Sequence, residues 1–325
     1  MTEPLIHPSQ IRLGEPLPHD AFDRRGMLLL RRGHVVATAW QVEVLLQNAV
    51  LAAGRAPPRR EAPTAAPETP LSLALSARLL LRALLTTPPR RGFAGEVLGV
   101  VDMLARACRA NPDVALATIL MHREDEYSIR HAVNVAIACQ VVGAAMRMAR
   151  ARLASTVAAA LTMNIGMLAL QDALQAQAGP LDEAQRDGVR GHCERGVALL
   201  VEHGVEDPVW LAAVRDHHER PDGSGYPAGT VGAALDTPAR LVGLADVYCA
   251  RVSSRETRPA MAPNAAMRQL FLREGEATDE ALARQLIKAL GIYPPGTGVR
   301  LRNGRVAVVI ERGMTGHRPL LALLT

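Results

Sequence analysis

The chain has 325 residues, of which 49% are hydrophobic and only 3% aromatic, so it can bury one large aliphatic core plus a small extra domain. That composition favours packed helices over a β-sandwich. The formal net charge is +5, but Lys288 is the only lysine and the arginines are spread along the chain, so no nucleic-acid polymer is expected as a partner. The four cysteines, Cys108, Cys139, Cys193 and Cys249, are scattered without a CxxC pair, which argues against a secreted disulfide framework.

From the N-terminus, Met1-Thr2-Glu3-Pro4 carries no basic start followed by an apolar stretch, so no signal peptide is expected. No apolar run approaches the ~20 residues that cross a bilayer, so no membrane span is expected and a cytoplasmic location is the default. Residues 1–54 read as a small N-terminal α/β domain. Gly26 opens the apolar run Met27-Leu28-Leu29-Leu30, Arg31-Arg32-Gly33-His34 follows, and Val35-Val36-Ala37 is a second run. Two β-type runs around a glycine-containing connection predict a hairpin. Ala39 to Asn48 predicts a short amphipathic helix. Residues 55–70 hold so much proline and alanine that neither a helix nor a central strand is stable there, and they read as an extended linker.

Residues 71–290 are patterned as helix nearly throughout, interrupted at Pro88-Pro89 and at Asn111-Pro112. Helices are expected around 128–148, 152–172, 181–203, 207–218 and 237–253, with a loop from Tyr226 to Asp236. Asp182 and Glu183 place two acids in a first turn, which suits a helix N-terminus. The leucine-rich stretch Leu73 to Leu85 serves as helix core or as the face of a homodimer, and apolar periodicity does not separate the two. Residues 291–325 change character: Asn303-Gly304 lies between two β-type runs, a strong hairpin signal, and a short β tail closes the chain. The fold expected is mostly α, a helical bundle with a small β-containing N-terminal domain and a short C-terminal β tail.

The most informative segment is His217-His218-Glu219-Arg220-Pro221-Asp222-Gly223-Ser224-Gly225-Tyr226-Pro227. Neutral imidazole is the commonest metal ligand, and glycine and proline fix loop geometries that other residues do not. Three further segments carry chemistry: Arg130-His131-Ala132-Val133-Asn134, Gly191-His192-Cys193-Glu194-Arg195-Gly196 and Ala245-Asp246-Val247-Tyr248. Single histidines elsewhere, His7, His19, His34, His122, His203 and His317, read as surface or loop residues, and Asn134 as a hydrogen bonder that orients its helix.

Taken together, these segments resemble the HD-GYP family, over roughly Met121 to Leu324, and the resemblance implies that the helical bundle is of the HD type. Members of that family hydrolyse the bacterial second messenger cyclic di-GMP at a cluster of metal ions. The resemblance implies five metal ligands, His131, His192, His217, His218 and Asp246, for iron, manganese or zinc, since mixed imidazole and carboxylate sites accept all three. It implies a substrate-binding surface at Gly225, Tyr226 and Pro227. Arg255 and Arg258 either contact a phosphate or a guanine edge or act as solvated cations at a helix end.

Where the family has His-Asp-Ile-Gly-Lys, this chain has Met163-Asn164-Ile165-Gly166-Met167. A thioether is a poor ligand for hard divalent ions. An amide bridges two ions badly, because its nitrogen offers no lone pair. Met167 leaves no cation for the phosphate. Tyr127 stands where some members carry an extra glutamate, and Cys249 replaces a second acid after Asp246. Cys193 and Cys249 either fill core volume or add a thiolate ligand. The resemblance therefore implies a cyclic di-GMP signalling protein with an impaired metal site. It is expected to be a weak or inactive phosphodiesterase that acts by binding the nucleotide or a partner such as a diguanylate cyclase domain. Two alternatives stay open: an active metal-dependent phosphodiesterase that uses fewer metals, and an interaction scaffold with neither nucleotide nor metal.

Overall fold

A computed structural model describes residues 11, 15–23, 28–36, 45, 49–51, 68–88, 90–121, 126–254, 258–273, 279–313 and 318–324. The chain divides into two units, Met1–Pro67 and Glu68–Thr325.

In the first unit, β1 (Ala21–Asp23) is the middle strand of an antiparallel sheet, flanked by β2 (Leu28–Leu30) and β3 (Ala49–Leu51). Ile11, Leu17, Ala21, Val36 and Leu45 form its core. The expected hairpin between the runs at 27–30 and 35–37 is not formed. Instead β2 pairs with β1, and Val35 bridges to Pro16. The connection explains the difference: Gly33 donates to the Leu17 carbonyl, Leu17 donates to that of His34, and the Arg32 amide donates to Asp20 Oδ1. These bonds tie the turn, which the His34 amide closes on the Arg31 carbonyl, to the segment before β1. Apart from Leu45, the helix expected at Ala39–Asn48 lies outside the described residues, as does most of the linker at 55–70.

The second unit is a helical bundle with a small sheet. α1 (Pro70–Leu85) starts at a capping box in which Thr69 and Ser72 exchange side-chain and backbone hydrogen bonds, with Pro70 in the first turn, where its missing N–H costs nothing. α2 (Phe93–Ala110) and α3 (Pro112–Met121) meet at Asn111, whose side chain accepts from the Asp113 and Val114 amides. α4 (Tyr127–Ala145) is apolar nearly all round and is the central helix, as such a helix must be. α1, α2, α3 and α5 (Arg150–Thr162) pack on it, and so do α10 (Thr237–Val252) and α12 (Glu280–Leu290). Asn134 has the orienting role expected of it: its Oδ1 accepts from the buried Arg78 and its Nδ2 donates to the Ile119 carbonyl.

Two expected helices are broken. The stretch at 152–172 is α5, a bend at Met163-Asn164, a 3₁₀ turn at Ile165–Met167, and α6 (Leu168–Ala176). The stretch at 181–203 is α7 (Glu183–Arg190) and α8 (His192–Glu202), separated by Gly191. Asp182 caps α7 in a box with Gln185, as its sequence predicts. Residues Arg150–Ala176 are long and apolar enough to cross a bilayer by length and composition, but the stretch bends at its middle, and 61% of its apolar window is buried in this unit. α9 (Pro208–Asp216) packs on α5, α8 and α10, and the Trp210 indole donates to Thr162 Oγ1 at 2.7 Å. After α11 (Pro263–Arg273) and α12, β4 (Gly298–Arg300), β5 (Val306–Glu311) and β6 (Leu320–Leu323) form an antiparallel sheet in that order.

Candidate metal centre

Helix ends bring three histidines together. α8 begins at His192, and α9 ends just before His217 and His218. Each of these backbones is pressed by a glycine from another part of the chain. A Cβ on Gly166 would lie 2.4 Å from the His192 carbonyl oxygen, one on Gly243 of α10 2.2 Å from that of His217, and one on Gly225 2.5 Å from that of His218. Only glycine permits these approaches. At 166 the approach also explains the bend, since a continuous helix from 152 to 172 would not lay this turn on α8.

Hydrogen bonds set the ring orientations. His192 Nδ1 donates to the Val189 carbonyl and His217 Nδ1 to that of Val214, so each Nε2 carries the lone pair. The two Nε2 atoms are 3.3 Å apart, and His218 completes a group whose ligand atoms all lie within 4.8 Å of one another. Burial, with His217 beside it, pushes His192 down to about 4. Burial also lowers His217 and His218, the latter with the help of its histidine neighbours. The neutral imidazoles of His192 and His217, with facing lone pairs, repel one another. A cation held by them would remove that repulsion, and Nδ1–H donation to a carbonyl is the usual support of a metal-bound imidazole. The donor set therefore fits a divalent ion.

His131 and Asp246 stand beside this group and satisfy each other. His131 Nε2 donates to Asp246 Oδ1 at 2.6 Å, while Tyr127 stacks on the His131 ring and places its hydroxyl 3.4 Å from Nδ1. Burial alone would raise Asp246, but the hydrogen bond and charge of His131, then His218 and His217, hold it well below the usual carboxylate range. His131, His218 and Asp246 line one cavity of about 290 Å³. Three of the five expected ligands thus converge, and the other two form a pair on the same cavity.

Of the substituted positions, Met163 is fully buried in the core cluster, whereas Asn164 and Met167 line the cavity. Tyr226 also lines it, stacked on His218 with ring centroids 4.7 Å apart, and the Tyr226-Pro227 peptide is cis. Arg258 donates to the Ala250 carbonyl at the end of α10, and Arg255 lies outside the described residues. Cys193 packs against the centre, its Sγ 3.6 Å from His192 Nε2 and 4.0 Å from His217 Nδ1, and burial pushes its thiol up to about 12. Cys249 is buried in the core, its thiol raised by burial and by Cys139. His203 is not a surface residue as expected: it is 4% exposed, stacks on Phe93 and accepts from the Arg90 amide.

Sequence reasoning passed over three features. Glu219 is buried and accepts from the amides of Ala228 (2.6 Å), Gly229 (3.1 Å) and Thr230 (2.9 Å), which holds the loop that carries Tyr226. An acid just before a glycine-rich loop was a usable signal, because such a loop has amides in need of an acceptor. Gly243, inside a helix where glycine is unfavourable, was another. Gln171 and Gln175, which line the cavity, carried no signal.

The HD domain family model matches residues 115–282. Cyclic di-GMP phosphodiesterase PA4108 of Pseudomonas aeruginosa is 29% identical over 213 residues, 66% of this chain and 51% of that protein. The cyclic di-GMP phosphodiesterase response regulator RpfG of Xanthomonas campestris is 34% identical over 132 residues, 38% of this chain and 33% of that protein. The 3'3'-cGAMP-specific phosphodiesterase 1 of Vibrio cholerae is 27% identical over 180 residues, 55% of this chain and 40% of that protein. The chain spans a third to a half of the length of these relatives. Among solved structures, Bd1817, an HDG"Y"P protein from Bdellovibrio bacteriovorus, shares the fold, with a TM-score of 0.56 at 15% identity over 87% of this chain and 97% of that one.

Proposed function

Because the chain belongs to the HD-domain family, and within it to the HD-GYP type, we propose that it binds a cyclic dinucleotide at the histidine centre and hydrolyses it weakly or not at all. The names of its relatives, cyclic di-GMP and 3'3'-cGAMP phosphodiesterases, supply the ligand class. The observation that carries the reading is the pair Met163 and Asn164. The first is buried in the core, away from the cavity, and the second presents a neutral amide to it.

His192, His217 and His218 would hold one divalent ion, and three imidazoles suit iron, manganese or zinc alike. Held there, such an ion would supply Lewis-acid chemistry for a phosphodiester and its attacking water. The chain's own residues do the rest. His131 and Asp246 hold a proton between them at the edge of the same cavity. Glu219 fixes the loop, and Tyr226 closes one wall. Asn164 supplies no charge to bridge a second ion, and Met167 no cation for the phosphate. A binding centre is thus kept while the means of turnover is reduced. The intact histidine group and Asp246 favour a second reading, slow hydrolysis with a single ion.

The test is calorimetric titration of the metal-loaded protein with cyclic di-GMP, joined to a hydrolysis assay on the same sample. Binding with little or no turnover is expected. Robust turnover abolished by His217→Ala would refute the impaired-site reading, and absence of binding would leave the scaffold alternative.

A further inference from the structure

A second pocket, of about 630 Å³, opens between α2, the C-terminal end of α4 and the first turn of α5. Its apolar lining is a stripe of α2, Leu98, Val101 and Ala105, with Met148 and Leu153 from the corner between α4 and α5. Gln140 of α4 lines it too. That residue is 7% exposed, yet its carboxamide makes no hydrogen bond to the described residues. Buried polar side chains are nearly always paired, so this one is placed to meet a group that enters the pocket. An apolar wall with a few polar groups is the character of a small-molecule site, and the volume is in the usual range.

The first turn of α5 sets the charge of that molecule. The helix has 13 residues, its N-cap is Ala149, which offers no side-chain acceptor, and no acid lies in its first turn. Leu153 donates to the Ala149 carbonyl, so the amides of Arg150, Ala151 and Arg152 have no acceptor within the helix. Arg150 lines the pocket, is exposed and has no ion-pair partner among the described residues. A cation at this end opposes the helix dipole, and an anion offsets both. Asp102 and Arg109, also on the lining, lie 4.0 Å apart and offset each other. The carbonyls that end α4 are engaged: those of Val142, Gly143 and Ala144 accept from Met146, Met148 and Arg147. The pocket therefore joins a net positive charge to an apolar wall.

We infer that it binds an apolar carboxylate, its head at Arg150 and the N-terminus of α5 and its alkyl chain along α2. From Leu98 to Arg109 that helix rises about 16 Å, room for a chain of medium length. No bond fixes the Gln140 amide, so it is free to turn Nε2 toward the head. The site is separate from the histidine centre, since Gln140 follows His131 by about 14 Å along α4. It does not depend on the dinucleotide reading.

The experiment is calorimetric titration of the delipidated full chain with decanoate, decanol and acetate. Decanoate should bind at about one equivalent per chain, at least about tenfold more tightly than decanol, which lacks the charge, or acetate, which lacks the chain. Arg150→Gln should weaken decanoate about tenfold and leave decanol nearly unchanged. Ala105→Phe, which fills the groove, should abolish binding, and decanoate should raise the melting temperature of wild type but not of this variant. If Ala105→Phe does not fold, Gln140→Leu takes its place and should weaken decanoate severalfold. No decanoate binding, decanol as tight as decanoate, or uptake that no variant alters overturns the inference. Flotation with phosphatidylglycerol vesicles separates a free acid from a lipid. No co-flotation is expected, and vesicle binding without decanoate binding would overturn the free acid as ligand. A dimer that Ala105→Phe dissociates in sedimentation would show that a second copy covers the groove, and would also overturn the inference.

Discussion

Gly243→Ala should loosen the metal centre without touching any ligand. A Cβ there falls 2.2 Å from the His217 carbonyl oxygen, against an ordinary contact of about 3.5 Å, so one of the two backbones must retreat by roughly 1 Å. Overpacking of this kind costs about 1–3 kcal/mol, and alanine returns about 1 kcal/mol through helix propensity. The net loss of stability should therefore be about 0–2 kcal/mol, and the variant should fold. Functional constellations tolerate only about 0.5 Å of displacement, and removal of support around a metal ligand typically weakens affinity about 10–100-fold. Competition with a chromophoric zinc chelator measures this. Gly99→Ala in α2 is the control, since its Cβ meets nothing within 4 Å. It should leave zinc affinity unchanged and stabilise slightly. Zinc affinity of Gly243→Ala within twofold of wild type would refute the reasoning.

Glu219→Gln keeps one acceptor oxygen, loses the charge and turns an amide donor toward one of the loop amides. It should cost about 1.5–3 kcal/mol in urea denaturation and speed hydrogen exchange at residues 228–230, and unchanged exchange there would show that the loop is held by other contacts. In chelator, stability should depend on pH through His192, whose folded value near 4 lies below its unfolded value near 6.5. The neutral form is favoured by folding, so its contribution of roughly 3 kcal/mol is complete above pH 6.5 and is lost as pH falls toward 4, with His217 and His218 acting in the same direction. Denaturation midpoints that stay flat between pH 7 and 5 would contradict it. The triple change Met163→His, Asn164→Asp and Met167→Lys should raise bound metal and bring cyclic di-GMP turnover, while the single changes do little, because members of a metal centre act as a unit. A folded triple variant with no gain in metal would show that Met163, now in the core, lies too far from the centre to restore it.

Much of the bundle was legible because its helices declare themselves locally. Asn111-Pro112 and Asp182 mark their boundaries with side chains that cap a helix, and α4 is apolar on every side. The breaks were not legible. Thr162-Met163-Asn164-Ile165 contains no strong breaker, and the chain bends there because Gly166 docks on the His192 backbone, a contact between residues 26 positions apart. The first-unit hairpin failed for a similar reason, since the strand partner of Leu28–Leu30 lies before the run rather than after it. In the centre, the clustering of His192, His217 and His218 followed from their motifs. That His131 and Asp246 would pair with each other did not, because the motifs carry no information on which side chains face one another. Gln171 and Gln175 were not legible either: they sit in an ordinary helical sequence, and only folding places them on the same cavity as Asn164.

The central claim is that the centre holds one divalent ion in the histidine group and cannot build a bridged pair. Metal stoichiometry by elemental analysis, after loading with iron, manganese or zinc and removal of excess, tests it most directly. The account predicts about one equivalent per chain, lost in His217→Ala and unaffected by Asn164→Ala. Two or more equivalents per chain, lost together when Asn164 or Asp246 is replaced, would contradict it.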